Sequence, residues 1–419
     1  MTLTAKLSAS SMQEITQPID FPKPHYTWPY VDKELENNII HQLHTSLSIR
    51  DNSGIIGEFE NKFANFIGAK HAVTFSSGTS AIHAMCIAAG LQPGDEILCP
   101  VYTFFATITP FVYEGITPIF CDSDPYTGNI SIKDMESKIS HKTKAVIVAH
   151  MWGIPCDISS IKKLCEKHSL YLFEDCAHAH FAKWEGKSVG TFGDMGAFSL
   201  NQKAITSGEG GILITDNDAM KEKALLFGHY NFRCQREIDP QKPYYKYALT
   251  GMGLKHRAHP LAMALGVNQL NAVKDIESRR RRNLITLTKG IKKDSALQPI
   301  LIDPIKGEHG LYVLGLRFDS DKSAYSREEV LSLFHQAGAY EIDVPGSTSV
   351  LHKEPLFNHE GFLKFDSEYK DVPIWKDTTF PGAEIFDKSI IKCPLWGYPG
   401  DEDIVDAYAH CIAEVSSNV

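Results

Sequence analysis

Seven short apolar runs recur through the first half of the chain, at residues 72–75, 96–99, 118–121, 145–149, 171–174, 197–200 and 211–215. They are continuous rather than alternating, the pattern of strands buried on both faces. Helical patterns lie between them. Residues 80–89 carry apolar side chains at helical spacing, 157–168 opens on an Asp157/Ser cap signal, and 260–282 begins with Pro260, which suits a first helical turn. Strand–helix alternation predicts an α/β fold with a mostly parallel seven-stranded sheet wrapped by helices.

The pattern changes after about residue 290. A strand is expected at 311–318, a helix at 326–337 and a last helix at 401–415, with 343–381 rich in Pro, Gly, His and aromatics. The expected organisation is a polar, mobile N-terminal arm (1–25), a large α/β domain (26–290) and a smaller C-terminal α+β domain (291–419). No internal repeat or low-complexity tract is present.

Composition narrows the class. The chain has 419 residues, 43% hydrophobic and 22% charged, as in ordinary globular proteins. A net charge of -9 disfavours nucleic acid as a partner. The run Arg279-Arg280-Arg281-Arg282 reads as a solvated helix face or an interface patch. Nine cysteines, an odd number without paired spacing, point to buried reduced thiols. The first twenty residues lack the apolar core of a signal peptide, and no later run is long enough to span a bilayer. A cytoplasmic protein with no membrane partner is expected.

Candidate chemistry gathers where the runs end, which is where ligands bind in such sheets. Ser76-Ser77-Gly78-Thr79-Ser80 leaves one run and opens a helix. It is either an ordinary Ser/Thr cap or an anion site built from backbone amides and the helix dipole. Asp175 follows the run 171–174. A buried carboxylate there needs a cation, unless it caps the next helix. Phe104 follows 96–99 and either stacks on a planar ligand or fills the core. Lys203 stands between two apolar runs, ahead of Gly208-Glu209-Gly210-Gly211. It is a loop lysine, or an amine made nucleophilic by burial. Cys176, His178 and His180 could form a metal cluster, but no second ligand group follows at a familiar zinc spacing, so no metal is expected. His178 fits better beside a cofactor ring, and His180 as a satisfied structural histidine. An amine, a buried carboxylate and a phosphate cradle together are the requirements of pyridoxal 5'-phosphate.

In order along the chain, Ser77-Gly78-Thr79-Ser80-Ala81, Pro93-Gly94-Asp95-Glu96, Tyr102-Thr103-Phe104, Thr143-Lys144-Ala145, Glu174-Asp175-Cys176-Ala177-His178, Phe198-Ser199-Leu200, Lys203 and Gly208-Glu209-Gly210-Gly211 resemble the DegT/StrS-type sugar aminotransferases. These belong to the fold-type-I pyridoxal phosphate enzymes. The resemblance covers about residues 27–415. It implies that Lys203 is the Schiff-base lysine, that Asp175 pairs with the pyridine nitrogen and that His178 sits by the ring hydroxyl. Phe104 would stack on the ring, and Gly78, Thr79 and Ser199 would hold the phosphate. It also implies a homodimer with shared active sites.

The chain departs from the family in two places. In Gly253-Leu254-Lys255-His256-Arg257, Lys255 replaces the asparagine that reaches the partner subunit's phosphate. Ser199 and Lys203 also stand one residue closer than is common. The implied reaction moves an amino group from glutamate or glutamine to a keto group, on a nucleotide-linked keto sugar. A keto-cyclitol aminotransferase or an aminohydroxybenzoate synthase is the nearest alternative. A fold kept only for binding or regulation is disfavoured by the intact Lys203 and Asp175.

Overall fold

The computed structural model describes residues 19–26, 28–300, 302–358, 375 and 377–419. Residues 1–18 of the expected arm and 359–374 of the Pro-rich stretch lie outside these. All seven expected strands form one sheet. Its order is His71–Phe75, Gly211–Thr215, Met195–Ser199, Tyr171–Asp175, Thr143–Ala149, Glu96–Pro100 and Thr117–Cys121. Gly211–Thr215 runs antiparallel to both neighbours, and every other pairing is parallel.

The continuous apolar runs follow from burial on two faces. Ile97, Cys99, Ala145, Ile147 and Phe173 pack into one core, with the helices Gly78–Ala89 and Asp218–Gly228 over it. Leu98, Val146, Val148 and Leu172 pack into the other, under Gly54–Ile67, Ile158–His168 and Pro260–Asn271. Neighbouring strand residues therefore alternate between two apolar layers rather than between core and water.

The helix expected over 260–282 is two helices, Pro260–Asn271 and Val273–Lys289, which meet at Ala272 (φ −94°, ψ 9°). Neither Gly nor Pro marks the break. The two halves have different partners, since Pro260–Asn271 packs on Gly54–Ile67 and Val273–Lys289 on the C-terminal helix Glu402–Asn418. The arginine run is not uniformly solvated either. Arg280 is buried and donates to the carbonyls of Leu311 (3.0 Å), Tyr312 (3.3 Å) and Leu395 (2.7 Å).

The C-terminal elements form a three-stranded antiparallel sheet, Leu297–Pro299, Val313–Phe318 and Ile390–Pro394, with Arg327–Ala337 and Glu402–Asn418. A capping box at Ser326 and Glu329 starts the first of these helices. Residues 19–26 lie against this part: Phe21 is buried, Ile19 N bonds Ala337 O, and His25 Nδ1 meets the Tyr408 hydroxyl at 2.8 Å. All nine cysteines are buried and unpaired. Among the described residues no helix is long and apolar enough to cross a membrane.

Candidate active site

At the carboxyl ends of the parallel strands lies a cavity of about 440 Å³, within the range of small-ligand sites. It brings together Gly78, Thr79, Phe104, Asp175, His178, Ser199 and Lys203, which are remote in sequence. Lys255 does not line it and is exposed.

The anion end begins where His71–Phe75 turns into Gly78–Ala89. Ser77 caps this helix, its Oγ accepting from Ser80 N at 3.0 Å, while Ala81 N bonds the Ser77 carbonyl. Among the described residues the amides of Gly78 and Thr79 have no partner, which leaves them to an anion. Gly78 abuts Ser199 so closely that a Cβ at Gly78 would lie 2.9 Å from the Ser199 Cβ. The cap reading holds for Ser77, and the same cap leaves the first two amides of the helix open to an anion.

Asp175 ends its strand buried. Its Oδ2 accepts from Thr107 Oγ1 at 2.7 Å and its Oδ1 from Ala177 N at 3.0 Å. Burial raises its pKa above the ordinary carboxylate value; the Ala177 amide, the Thr107 hydroxyl and the charge of Lys203 oppose the rise. A protonated ring nitrogen would supply the missing cation. Thr107 carries no signal in the sequence, since only the fold brings it to Asp175.

His178 is held neutral, its pKa pushed well below the ordinary value by burial and then by Lys203. Its ring stacks on Tyr312, with centroids 4.1 Å apart, and among the described residues its buried Nδ1 has no hydrogen-bond partner. A buried imidazole nitrogen without a partner is costly unless a ligand satisfies it.

Lys203 lies in the loop between Met195–Ser199 and Gly211–Thr215. Its Nζ is 3.3 Å from the Tyr312 hydroxyl and 4.5 Å from the centre of that ring. Tyr312 carries no sequence signal, because within its apolar run it looks like core. Its main chain is fixed from behind by Arg280 and follows Leu311, which is left-handed (φ +56°). His180 secures both ends of the lysine loop. Its Nδ1 accepts from Ile205 N at 3.0 Å, and its Nε2 donates to Ser199 O at 2.9 Å.

The residues expected as possible metal ligands diverge. His180 faces the lysine loop and His178 the cavity, so the two do not converge with Cys176. Among the described residues the potential ligand cluster is His150, Glu174 and Cys176. Glu174 already accepts the amides of Gly190, Phe192 and Gly193, and His150 Nδ1 that of Cys156. Burial pushes the Cys176 thiol up to about 12. This cluster is a hydrogen-bonded support under the strand that presents Asp175.

The site therefore fits pyridoxal phosphate on four independent counts: an amine, a buried carboxylate short of a cation, an unpartnered neutral imidazole and two open amides at a helix start. Comparison with known proteins agrees. The model of the DegT/DnrJ/EryC1/StrS aminotransferase family matches residues 31–378. A GDP-perosamine synthase from Escherichia coli O157:H7 is 36% identical over 247 residues, 59% of this chain and 65% of that protein. The spore coat polysaccharide biosynthesis protein SpsC of Bacillus subtilis strain 168 is 30% identical over 388 residues, 91% of this chain and 94% of that one. The X-ray structure of an aminotransferase from Psychrobacter cryohalolentis is similar with a TM-score of 0.80 at 26% identity, covering 92% of this chain and 98% of its own. The chain belongs to the DegT/DnrJ/EryC1/StrS aminotransferase family and carries the type I fold of pyridoxal phosphate-dependent enzymes.

Proposed function

We propose that this protein is a pyridoxal phosphate-dependent aminotransferase that moves an amino group from glutamate or glutamine to the keto group of a nucleotide-linked sugar. The observation that carries the reading is the Lys203 amine facing the same cavity as the buried, cation-deficient Asp175. The sugar acceptor is supported by the similarity to a GDP-perosamine synthase.

When bound, the cofactor supplies an electron sink for the negative charge that develops on the substrate carbon. Lys203 would hold the cofactor between turnovers and, as a free amine, would carry the proton at the substrate carbon. The Tyr312 hydroxyl holds the released amine in the cavity. Asp175, oriented by Thr107 and Ala177, keeps the ring nitrogen protonated. His178 would serve the ring hydroxyl, Phe104 would stack on the ring, and Gly78, Thr79 and Ser199 would receive the phosphate. The protein works as a cytoplasmic homodimer, in which Lys255 reaches the neighbouring subunit's phosphate.

Borohydride reduction followed by peptide mapping tests the assignment, with the pyridoxyl label expected on Lys203; a label on another lysine overturns it. Pyridoxamine-loaded protein should recover its pyridoxal absorbance with keto sugars. Recovery with keto-cyclitols alone would replace the sugar by a cyclitol.

A further inference from the structure

The C-terminal part of the chain contributes Pro345, Gly346, Ser347, Thr348 and Lys392 to the wall of the cavity. It is fastened at two places. Asp343 and Lys392 exchange both main-chain hydrogen bonds, at 3.1 and 2.8 Å. Thr348–Val350 then pairs with Tyr102–Phe104, placing Thr348 opposite Phe104. The wall thus starts at the aromatic of the cofactor end and finishes at Lys392. Its backbone covers at most roughly 18 Å at about 3.6 Å per residue, a span that a substrate extending from the cofactor would follow.

The charges on the cavity lining are few. Lys203 and Lys392 are its lysines and Asp175 and Glu209 its carboxylates, while the buried His150 is already paired with Glu174 at 3.1 Å. In the proposed function Lys203 would hold the cofactor and Asp175 would face its ring nitrogen, and Glu209 accepts from Asn201 at 2.9 Å. Lys392 has no such commitment. Among the described residues its ammonium has neither a hydrogen-bond nor an ion-pair partner, although it is half-buried between Ile391 and Cys393, both buried. A partly desolvated cation without a counter-charge gains from any anion that enters beside it. Both substrates of the proposed reaction are anions: the amino donor carries carboxylates and the acceptor a diphosphate.

We infer that Lys392 is the anion anchor of the substrate site, binding an oxyanion of the incoming substrate at the far end of the wall from Phe104. The inference rests on the aminotransferase reading for the identity of the substrates, while the anion site itself can be tested without turnover.

The test compares cofactor-loaded wild type with Lys392→Gln and Lys392→Arg, with the cofactor absorbance confirming an intact site in each. Binding of 2-oxoglutarate and of inorganic pyrophosphate is measured by calorimetry, and the two half-reactions are followed separately. Lys392→Gln should weaken one ligand by roughly ten- to a hundredfold, the scale of a lost hydrogen bond to a charged group. The matching half-reaction should lose kcat/KM through KM, and Lys392→Arg should restore most of both. Loss confined to 2-oxoglutarate and the glutamate half-reaction assigns the donor carboxylate. Loss confined to pyrophosphate and the sugar half-reaction assigns the diphosphate. Unchanged affinity for both ligands in Lys392→Gln overturns the inference. If wild type reacts with no amino donor, the aminotransferase reading fails, and the calorimetric comparison still decides the role of Lys392.

Discussion

Asp175 shows how a single side chain can declare its purpose. Burial alone pushes its carboxyl up, and two neutral donors, Thr107 and Ala177, offset only part of that. The group is most stable as an anion once a cation stands beside it. Asp175→Asn is nearly isosteric and should keep the fold while losing that ion pair. We expect cofactor affinity to fall by about 1.5–3 kcal/mol, the range for a charge-assisted bond. Turnover should fall further, because the ring nitrogen then loses its proton more easily. Titration with cofactor and a turnover assay measure both, and near wild-type turnover would mean that another group faces the ring. Asp175 is legible in sequence because a carboxylate at the end of an apolar strand is expensive. Thr107 and Tyr312 are not, since their meaning comes only from what the fold sets against them.

Among elements, the loop carrying Lys203 depends on one histidine. His180 holds it at Ser199 and Ile205 as a neutral ring, accepting at one nitrogen and donating at the other. Burial pushes its pKa down from the ordinary 6.5 to about 3. The unfolded chain therefore takes up a proton that the folded protein refuses. The stabilisation is complete above about pH 6.5 and is lost as pH falls toward 3, by up to about 1.4 kcal/mol per pH unit. Denaturant melts between pH 6.5 and 4.5 should show a steeper loss in wild type than in His180→Gln. Equal slopes would show that this imidazole does not control the loop.

The strands around this loop are legible in sequence because two-sided burial leaves little freedom in residue choice. The helices are less so. Gly54–Ile67 is obscured by Gly54 and Gly57, which weaken the local helical preference, and it is held by packing against Pro260–Asn271. The break at Ala272 is invisible for the same reason: it is set by two different partners and not by a breaker residue.

At the scale of the molecule, the segment before the helix Pro260–Asn271 stands out. Tyr247, Leu249, Met252 and Leu254 are between 42% and 60% exposed, and Lys255 follows them into solvent. Exposed apolar side chains concentrated in one segment suit an interface, and the proposed role of Lys255 at the neighbouring subunit's phosphate would carry it across that interface. Lys255→Ala should bind pyridoxal phosphate about 1.5–3 kcal/mol more weakly. Mixing Lys255→Ala subunits with inactive Lys203→Ala subunits should restore activity, because each heterodimer has one site with both lysines. No recovery after verified subunit exchange would return Lys255 to the role of a surface charge. The same scale gives meaning to the wall between Lys392 and Phe104. Its ends are held by main-chain bonds, which do not depend on which side chains lie between them. Residues 344–347 can therefore be exchanged as a cassette, grafted from one relative to another with the register at both ends kept. Of these, Pro345, Gly346 and Ser347 line the cavity, so an exchange there would change what the cavity accepts while leaving Lys203 and Asp175 untouched.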